Sequence, residues 1–511
     1  MEHAICTIKL STGDKMNIQN DLYAQRKEKL DKIIAMGINP FPHRSKRTHL
    51  INQITENKDE FIDSKETVYI TGRITSHRRQ GKIGFTTLQD ISGKIQVFVR
   101  KDTIGDENYE LYKLIDLGDF MQVKGIAVYT QTGEFSILAE EIILLSKNMR
   151  PIPTVKEKEI DGKQVRYDEF SDIELRYRKR YLDLLLNPCN RNTFEQRAKI
   201  ISHIRRFLDD RGFVEVETPI LQTLYGGANA RPFTTHHNTL DAQLYLRIAT
   251  ELYLKRLIIG GFERVYEIGK NFRNEGMDRT HNPEFTAIEL YQAYTDLDGM
   301  IEITESLFRS IANNVFNTTT IQYGEYLVDL SKPFKQASMT SLIKDYTGED
   351  FSDFDIDKIK SFMKEKNIEI DEFAGAGRMI AEIFDHFVEK NLIQPTFVID
   401  YPLEISPLAK NHPENENLVE RFELFICGKE YGNAFTELNS PIEQRLRLEA
   451  QAIAREKGDA EANPVDEDFI EALEYGMPPM GGLGIGIDRL IMFFTNNTSI
   501  KEVIFFPQMK M

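Results

Sequence analysis

Apolar positions along the chain change period from about 3.6 to 2 and back, and those changes divide it before any motif is considered. Over residues 17–36, Leu22, Leu30, Ile33 and Ile34 recur at helical spacing among charges, and Gly37, Pro40 and Pro42 then stop the helix. From about 67 to 146 the period falls to 2. VYITGRI, KIGFTTLQD, GKIQVFVRK, DFMQVKGIAVYT and EFSILAEEIILL read as five short strands, with tight turns at SGK (92–94) and QTG (131–133). A helical patch, NYELYKLIDLG, separates the third strand from the fourth.

Five strands with a helix between the third and fourth is the plan of an OB-fold β-barrel. Such barrels often bind single-stranded nucleic acid on one face through aromatic stacking and basic side chains. Arg78, Phe85, Gln96 and Glu134 stand on or beside these strands, although the pattern equally allows Phe85 a place in the barrel core. Residues 147–170 are polar, carry two prolines and read as a linker. Beyond them, 171–511 mixes long amphipathic helices with strands. The stretch 190–212 reads as a helix stopped at Gly212, followed by FVEVETPIL, an alternating strand that meets Pro219. Residues 335–420 read as a mainly helical insertion.

Composition changes this picture little. Hydrophobic residues at 41% and charged residues at 28% are ordinary for a globular protein. No run of about eighteen apolar residues predicts a membrane span, and the first residues lack the pattern of a secretory signal. Cys6, Cys189 and Cys427 lie far apart, which predicts neither a disulfide framework nor a cysteine zinc site and fits a reducing cytoplasm. Net charge is −16, yet residues 1–150 carry 22 Lys+Arg against 20 Asp+Glu, so the acidity belongs to the rest of the chain. A near-neutral appendage on an acidic body can hold RNA on a local basic face.

Candidate chemistry concentrates in three blocks. In 262–294 a strand–loop–strand projects Arg273, Glu275, Arg279 and His281 at its bend. Arginine suits phosphate there, because its planar fork donates two bonds and keeps its charge. In 419–440, Glu423, Glu430 and Glu437 recur every seven residues among apolar neighbours. Carboxylates in such surroundings need cations or a metal, and Mg²⁺ on a nucleotide uses one or two of them. A heptad-spaced helix face is the alternative, against which FELFI and the Gly432–Asn433 break argue. In 481–494 four glycines alternate and lead into Asp488 and Arg489, fitting neither GxGxxG after a strand nor GxxxxGK[ST].

These blocks, with RRFLDDRGFVEVETPIL at 205–221, resemble the signature motifs of class II aminoacyl-tRNA synthetases. RGFVEVETPIL is similar to motif 1, FRNEGMDRTHNPEF to motif 2 and GIGIDRL to motif 3. RYRKRYLDLL at 176–185, the stretch 226–257 and GNAFTELN at 432–439 resemble the bacterial lysyl-tRNA synthetase family in particular, over almost all of residues 20–511. The resemblance implies an α+β fold: an N-terminal OB-fold barrel, then a class II catalytic domain built on an antiparallel sheet flanked by helices. The implied domains are an extension and helix at 1–66, an anticodon-binding barrel at 67–147, a linker at 148–175 and a catalytic domain at 176–511.

By the same resemblance the chain is a cytoplasmic homodimer that joins L-lysine to tRNA(Lys) with ATP. Arg273 would grip the α-phosphate and Arg489 the terminal phosphate, as the catalytic pair. Phe285 would stack under the adenine, Glu275 would lie at its amino edge and His281 would meet the outer phosphates. Glu423 and Glu430 would hold Mg²⁺, of which about three ions per subunit are implied, each completed by phosphate and water oxygens. Gly227, Glu251, Glu289, Tyr291, Asn433, Phe435 and Glu437 would line the lysine pocket, and Arg78, Phe85, Gln96 and Glu134 would read the anticodon.

Charge supports the substrate independently. Lysine offers two ammonium groups, so Glu251 can face one while Glu437 and Tyr291 take the other, whereas an aspartate pocket needs a cation where Glu437 stands. A lysine ligase acting on an elongation factor would lack the barrel, and a non-catalytic RNA-binding relative would lose Arg273, Arg489 or the metal carboxylates. Two positions depart from the family's usual pattern: Thr250 stands where proline is common and Ala434 where glycine is common.

Overall fold

A computed structural model describes residues 12–153, 156–160, 163–167, 170, 172–369, 374–456 and 464–510; Cys6 lies outside them. The chain forms two compact units, Met1–Asp172 and Ile173–Met511.

In the first unit the N-terminal helix α1 (Thr12–Ala35) ends two residues before Gly37, whose φ of 76° is the left-handed turn a side chain resists. Strands β1 (Val68–Gln80), β2 (Ile83–Gln89), β3 (Lys94–Arg100), β4 (Phe120–Tyr129) and β5 (Phe135–Ser146) close a barrel in the order β1-β2-β3-β5-β4. The helix Lys101–Leu114 falls between β3 and β4, as the change of period predicts. Its Tyr112 packs so closely on β2 that a Cβ at Gly84 would meet the Tyr112 ring at 2.4 Å, which is why that strand position is glycine. Phe85 answers the question its pattern left open. It alternates with buried Gly84, Thr86 and Leu88, so it faces outward and stacks on Phe98 at 5.1 Å between ring centroids. The stretch read as a linker instead contains a hairpin, β6 (Lys156–Ile160) and β7 (Lys163–Tyr167).

The second unit is built on a nine-stranded sheet. From one edge its strands run 335–338, 396–402, 415–426, 429–436, 480–486, 284–293, 264–272 and 214–215, with Asn411–His412 paired to the third. The pairings are antiparallel except at the two ends, 335–338 with 396–402 and 214–215 with 264–272. The expected strand FVEVETPIL is broken into Val214–Glu215 and a second short strand, Leu221–Gln222, because Pro219 offers no donor and interrupts the ladder. The bounds expected for the helical insertion were too wide. Its helices Met339–Thr347, Ile356–Glu365 and Ala376–Phe387 share a core of their own, whereas Lys335–Ser338 and Thr396–Pro402 are strands of the main sheet.

The two faces of that sheet differ sharply. Ile288, Leu290, Phe422, Leu424, Ala434, Leu483 and Ile485 pack against the helices Pro188–Asp209, Leu297–Phe316 and Ile487–Phe494. The alternate positions Glu289, Tyr291, Arg421, Glu423, Asn433, Phe435, Gly482 and Gly484 therefore face the other way, onto a cavity. Ala434 consequently lies in the core, and the departure noted there does not touch the cavity.

Candidate active site

The cavity measures about 470 Å³ and lies wholly within the second unit. Its glycine-rich strand, Met480–Gly486, makes a floor without side chains, flanked by the strands that carry the charged groups.

At one end stands Arg273, the first residue past the strand Arg264–Phe272. Its N–H donates to Pro283 O at 2.9 Å and closes the base of the loop. The guanidinium lies over the Phe285 ring at 5.2 Å, and its Nε is buried without an acceptor. Among the described residues no carboxylate comes within 4 Å of it, and burial lowers its pKa from the usual arginine value. An unpaired cation in such a place is a receptor for an anion. Arg489, at the start of the helix Ile487–Phe494, lies 3.3 Å from Glu430 Oε2 and 3.0 Å from His281 Nε2. Because arginine only donates, His281 accepts through Nε2 and donates through Nδ1 to Asp278 Oδ2 at 2.8 Å. Burial works to raise the Asp278 pKa, but the bonds from His281 and Thr280 outweigh it and hold that carboxyl low. Glu275 reaches the same cavity from the loop.

Glu423 and Glu430 belong to the hairpin Asn415–Ile426 and Lys429–Thr436, which rules out the helical reading of their spacing. A register shift between Leu424 and Phe425 keeps both carboxylates on the cavity side. Burial first and the neighbouring Glu430 second push the Glu423 carboxyl up to about 7, against the pull of Arg421. Two carboxylates held together against their repulsion fit a divalent ion. Among the described residues no three acidic, His or Cys side chains converge as a complete ligand set.

At the other end the cavity meets Gly227, Glu251, Glu289, Tyr291, Asn433 and Phe435. Gly227 has φ 86°, and a Cβ there would press on Glu251 and Ala249 at 3.1 and 3.2 Å. Tyr291 Oη donates to Glu289 Oε2 at 3.2 Å, and the Thr250 N–H donates to Glu289 Oε1 at 3.1 Å. A proline at 250 would lack that donor, so the departure at this position adds a hydrogen bond to the pocket. Burial, then Glu251, raises the Glu289 pKa.

Glu437 sits differently from the expectation. It has no exposed surface and is not part of the cavity wall, and its Oε2 lies 2.5 Å from the ammonium of Lys255. It lies against Gly482 of the cavity wall: a Cβ there would meet Glu437 Oε1 at 2.0 Å. Burial drives the Glu437 carboxyl up to about 8, with Lys255 pulling the other way.

Three contributors went unread in the sequence. Lys255 is four residues past Glu251 on one helix, spacing that on its own signals a surface ion pair. Arg421 donates to Asn433 Oδ1 at 3.1 Å and to Glu423 Oε1 at 2.6 Å, tying the two ends of the cavity together. Its place two residues before Glu423 on a strand was the available signal. Gly482 is the third.

In the barrel, Arg78 pairs with Phe85 across β1 and β2, Thr87 with Gln96 across β2 and β3, and Gln96 with Ser136 across β3 and β5. Arg78 and Glu134 are exposed, Phe85 is half-buried and Gln96 donates to Ser136 Oγ at 2.9 Å.

Comparison with known proteins matches residues 172–510 to the family described as tRNA synthetases class II (D, K and N), and residues 68–145 to an OB-fold nucleic acid binding domain. Lysine–tRNA ligases of Halalkalibacterium halodurans and Enterococcus faecalis are each 50% identical over 96% of this chain, covering 97% and 98% of their own length. The Bacillus subtilis lysine–tRNA ligase is 49% identical over 96% of the chain and 97% of its own.

Proposed function

The chain belongs to the class II tRNA synthetases of the D, K and N group, and from the charge around its cavity we propose that it is a lysine–tRNA ligase. It activates L-lysine with ATP, releases pyrophosphate, and transfers the lysyl group to the 3′ end of tRNA(Lys). One observation carries the choice of amino acid. Glu251 and Glu437 share a single internal ammonium, Lys255, and Glu289 faces Glu251, so the carboxylate charges outnumber the resident cation and favour a substrate bearing two ammonium groups. An aspartate or asparagine side chain would leave those charges uncompensated. The inversion expected of an aspartate pocket is present only in part, since the cation beside Glu437 is already used by Glu251 as well.

No side-chain nucleophile is required. The lysine carboxylate attacks the α-phosphorus in line, and the chain supplies position and charge. Arg273, unpaired over Phe285, meets the α-phosphate, while the adenine shares the Phe285 face and Glu275 lies at its edge. Arg489 and His281 receive the outer phosphates, with Asp278 fixing the His281 tautomer so that Nε2 faces Arg489. Glu423 and Glu430 would hold Mg²⁺, which when bound neutralises developing phosphate charge. Arg421 holds Asn433 and Glu423 in place as substrates bind. The outward Phe85, with Arg78, Gln96 and Glu134, forms the face that reads the anticodon. Exposed Val214, Ile220, Leu221 and Phe262 around the sheet's outermost strand support a homodimer, for which sedimentation is the check. No helix among the described residues is long and apolar enough to cross a membrane, and a cytoplasmic enzyme is inferred from its tRNA substrate.

Pyrophosphate exchange run with each of the twenty amino acids tests this reading. Exchange is expected with lysine alone, and equal stimulation by aspartate overturns the assignment.

A further inference from the structure

Lys255 takes part in none of the steps above. It lies on the helix Glu251–Ile259 with no exposed surface, its Nζ 2.6 Å from Glu251 Oε1 and 2.5 Å from Glu437 Oε2. The helix Glu467–Glu474 closes the site with Phe469, whose ring centroid is 6.0 Å from the ammonium. Burial alone would strip a lysine of its proton. The two carboxylates outweigh burial here and keep the Lys255 pKa above its usual value.

Glu437 depends on this contact more than Glu251 does. Neither of its oxygens accepts a well-directed hydrogen bond, and it has no exposed surface. Beyond Lys255, Glu251, Glu289, Tyr291 and the backbone of Gly482 face it, and among the described residues no second cation is paired with it. A neutral residue at 255 would leave nothing to hold this carboxylate in place or in its ionised form.

We propose that Lys255 is a positioning residue of the amino-acid pocket, a resident counter-cation that fixes the spacing of Glu251 and Glu437 so that the pair fits a diamino acid substrate. The proposal rests on the lysine reading of the cavity. It assigns specificity to a residue that touches no substrate. A lysine that merely filled the core would serve stability alone.

The test is Lys255→Met in the full-length enzyme, which keeps most of the unbranched side chain and removes its charge. Lysine-dependent pyrophosphate exchange is measured across neutral and mildly alkaline pH, with melting temperature followed in parallel. The KM for lysine is expected to rise about tenfold or more at neutral pH, the shift that one unit of carboxyl pKa produces. It is expected to recover partly as pH rises and Glu437 ionises, while the KM for ATP stays put. A lysine KM within twofold of wild type overturns the proposal, as does a rise in both KM values with no change in pH profile. Should Lys255→Met fail to fold, the double variant with Glu437→Gln removes both charges and is expected to fold with a raised, pH-independent lysine KM. Recovery of the wild-type KM in that double variant also overturns it. Wild-type protein without lysine exchange would sink the function reading and this inference with it. Intact wild-type exchange with an unmoved variant sinks this inference alone.

Discussion

Gly482→Ala adds one methyl group where the structure leaves no room for it. Gly482 pairs with Tyr291 on one side and Phe435 on the other, and Glu437 Oε1 lies directly against its side-chain position. A Cβ built there lies 2.0 Å from Glu437 Oε1 and 2.5 Å from Tyr291 Cε1. Heavy atoms rest at about 3.5 Å, so the overlap with Glu437 is about 1.5 Å. Neither neighbour can step aside freely, since Glu437 is 0% exposed and Tyr291 3%. Relief must come from moving the Glu437 carboxylate or the Tyr291 ring by about 1 Å, and misplacement of that size costs about a hundredfold in rate. The kcat/KM for lysine should therefore fall about 100-fold, about 2.7 kcal/mol, with overpacking costing a further ~1–3 kcal/mol of stability. Because the atoms nearest this methyl belong to Glu437 and Tyr291 rather than to the side chains assigned to phosphate, the KM for ATP should change little. Lysine-dependent pyrophosphate exchange with both substrates varied, alongside a melting curve, measures each part. A folded variant whose lysine KM stays within threefold of wild type refutes the argument that Tyr291, with Glu437 behind Gly482, sets the end of the pocket.

Arg273→Ala should lower pyrophosphate exchange by about 10²–10³-fold with little change in melting temperature, because the contact over Phe285 is lost but no ion pair is; near-normal exchange removes Arg273 from catalysis. Glu423 has its folded pKa raised to about 7 from an ordinary 4.5, so between those values the folded state binds more protons than the unfolded. Its contribution makes the apoprotein less stable as pH rises through that window, and the affinity for Mg²⁺ with ATP should rise over the same window as the proton leaves. Melting scans against pH, with and without Mg²⁺ and ATP, check both signs, and a Glu423→Gln variant that keeps the same slope refutes the assignment. Phe85→Ala should weaken tRNA binding by about 1–3 kcal/mol, the worth of one stacked base, and unchanged affinity in a filter-binding assay would remove the barrel face from recognition.

The alternation of Ile288, Leu290, Leu483 and Ile485 with Glu289, Tyr291, Gly482 and Gly484 told which side of each strand meets the core, and the strand–loop–strand around Arg273 was legible for the same reason. Periodicity failed where its premise failed. The 148–175 stretch is polar enough to read as a linker, yet it holds a two-stranded hairpin, which needs no buried face to pair its backbone. Glutamates spaced by seven could not report a hairpin, because that spacing says nothing of the register shift between Leu424 and Phe425.

The order and period of the elements, the barrel, the motif loops and the residue types able to handle a triphosphate and a diamino acid were all carried in the linear chain. Packing between distant segments was needed to turn Phe85 outward and Ala434 into the core, and to bring Glu437 against a lysine from another element before any substrate arrives. The reason is physical. Local pattern reflects the repeat of one helix or strand, which the chain carries in its own order, whereas buried ion pairs and close glycine contacts arise between segments far apart in sequence and exist only once those segments pack.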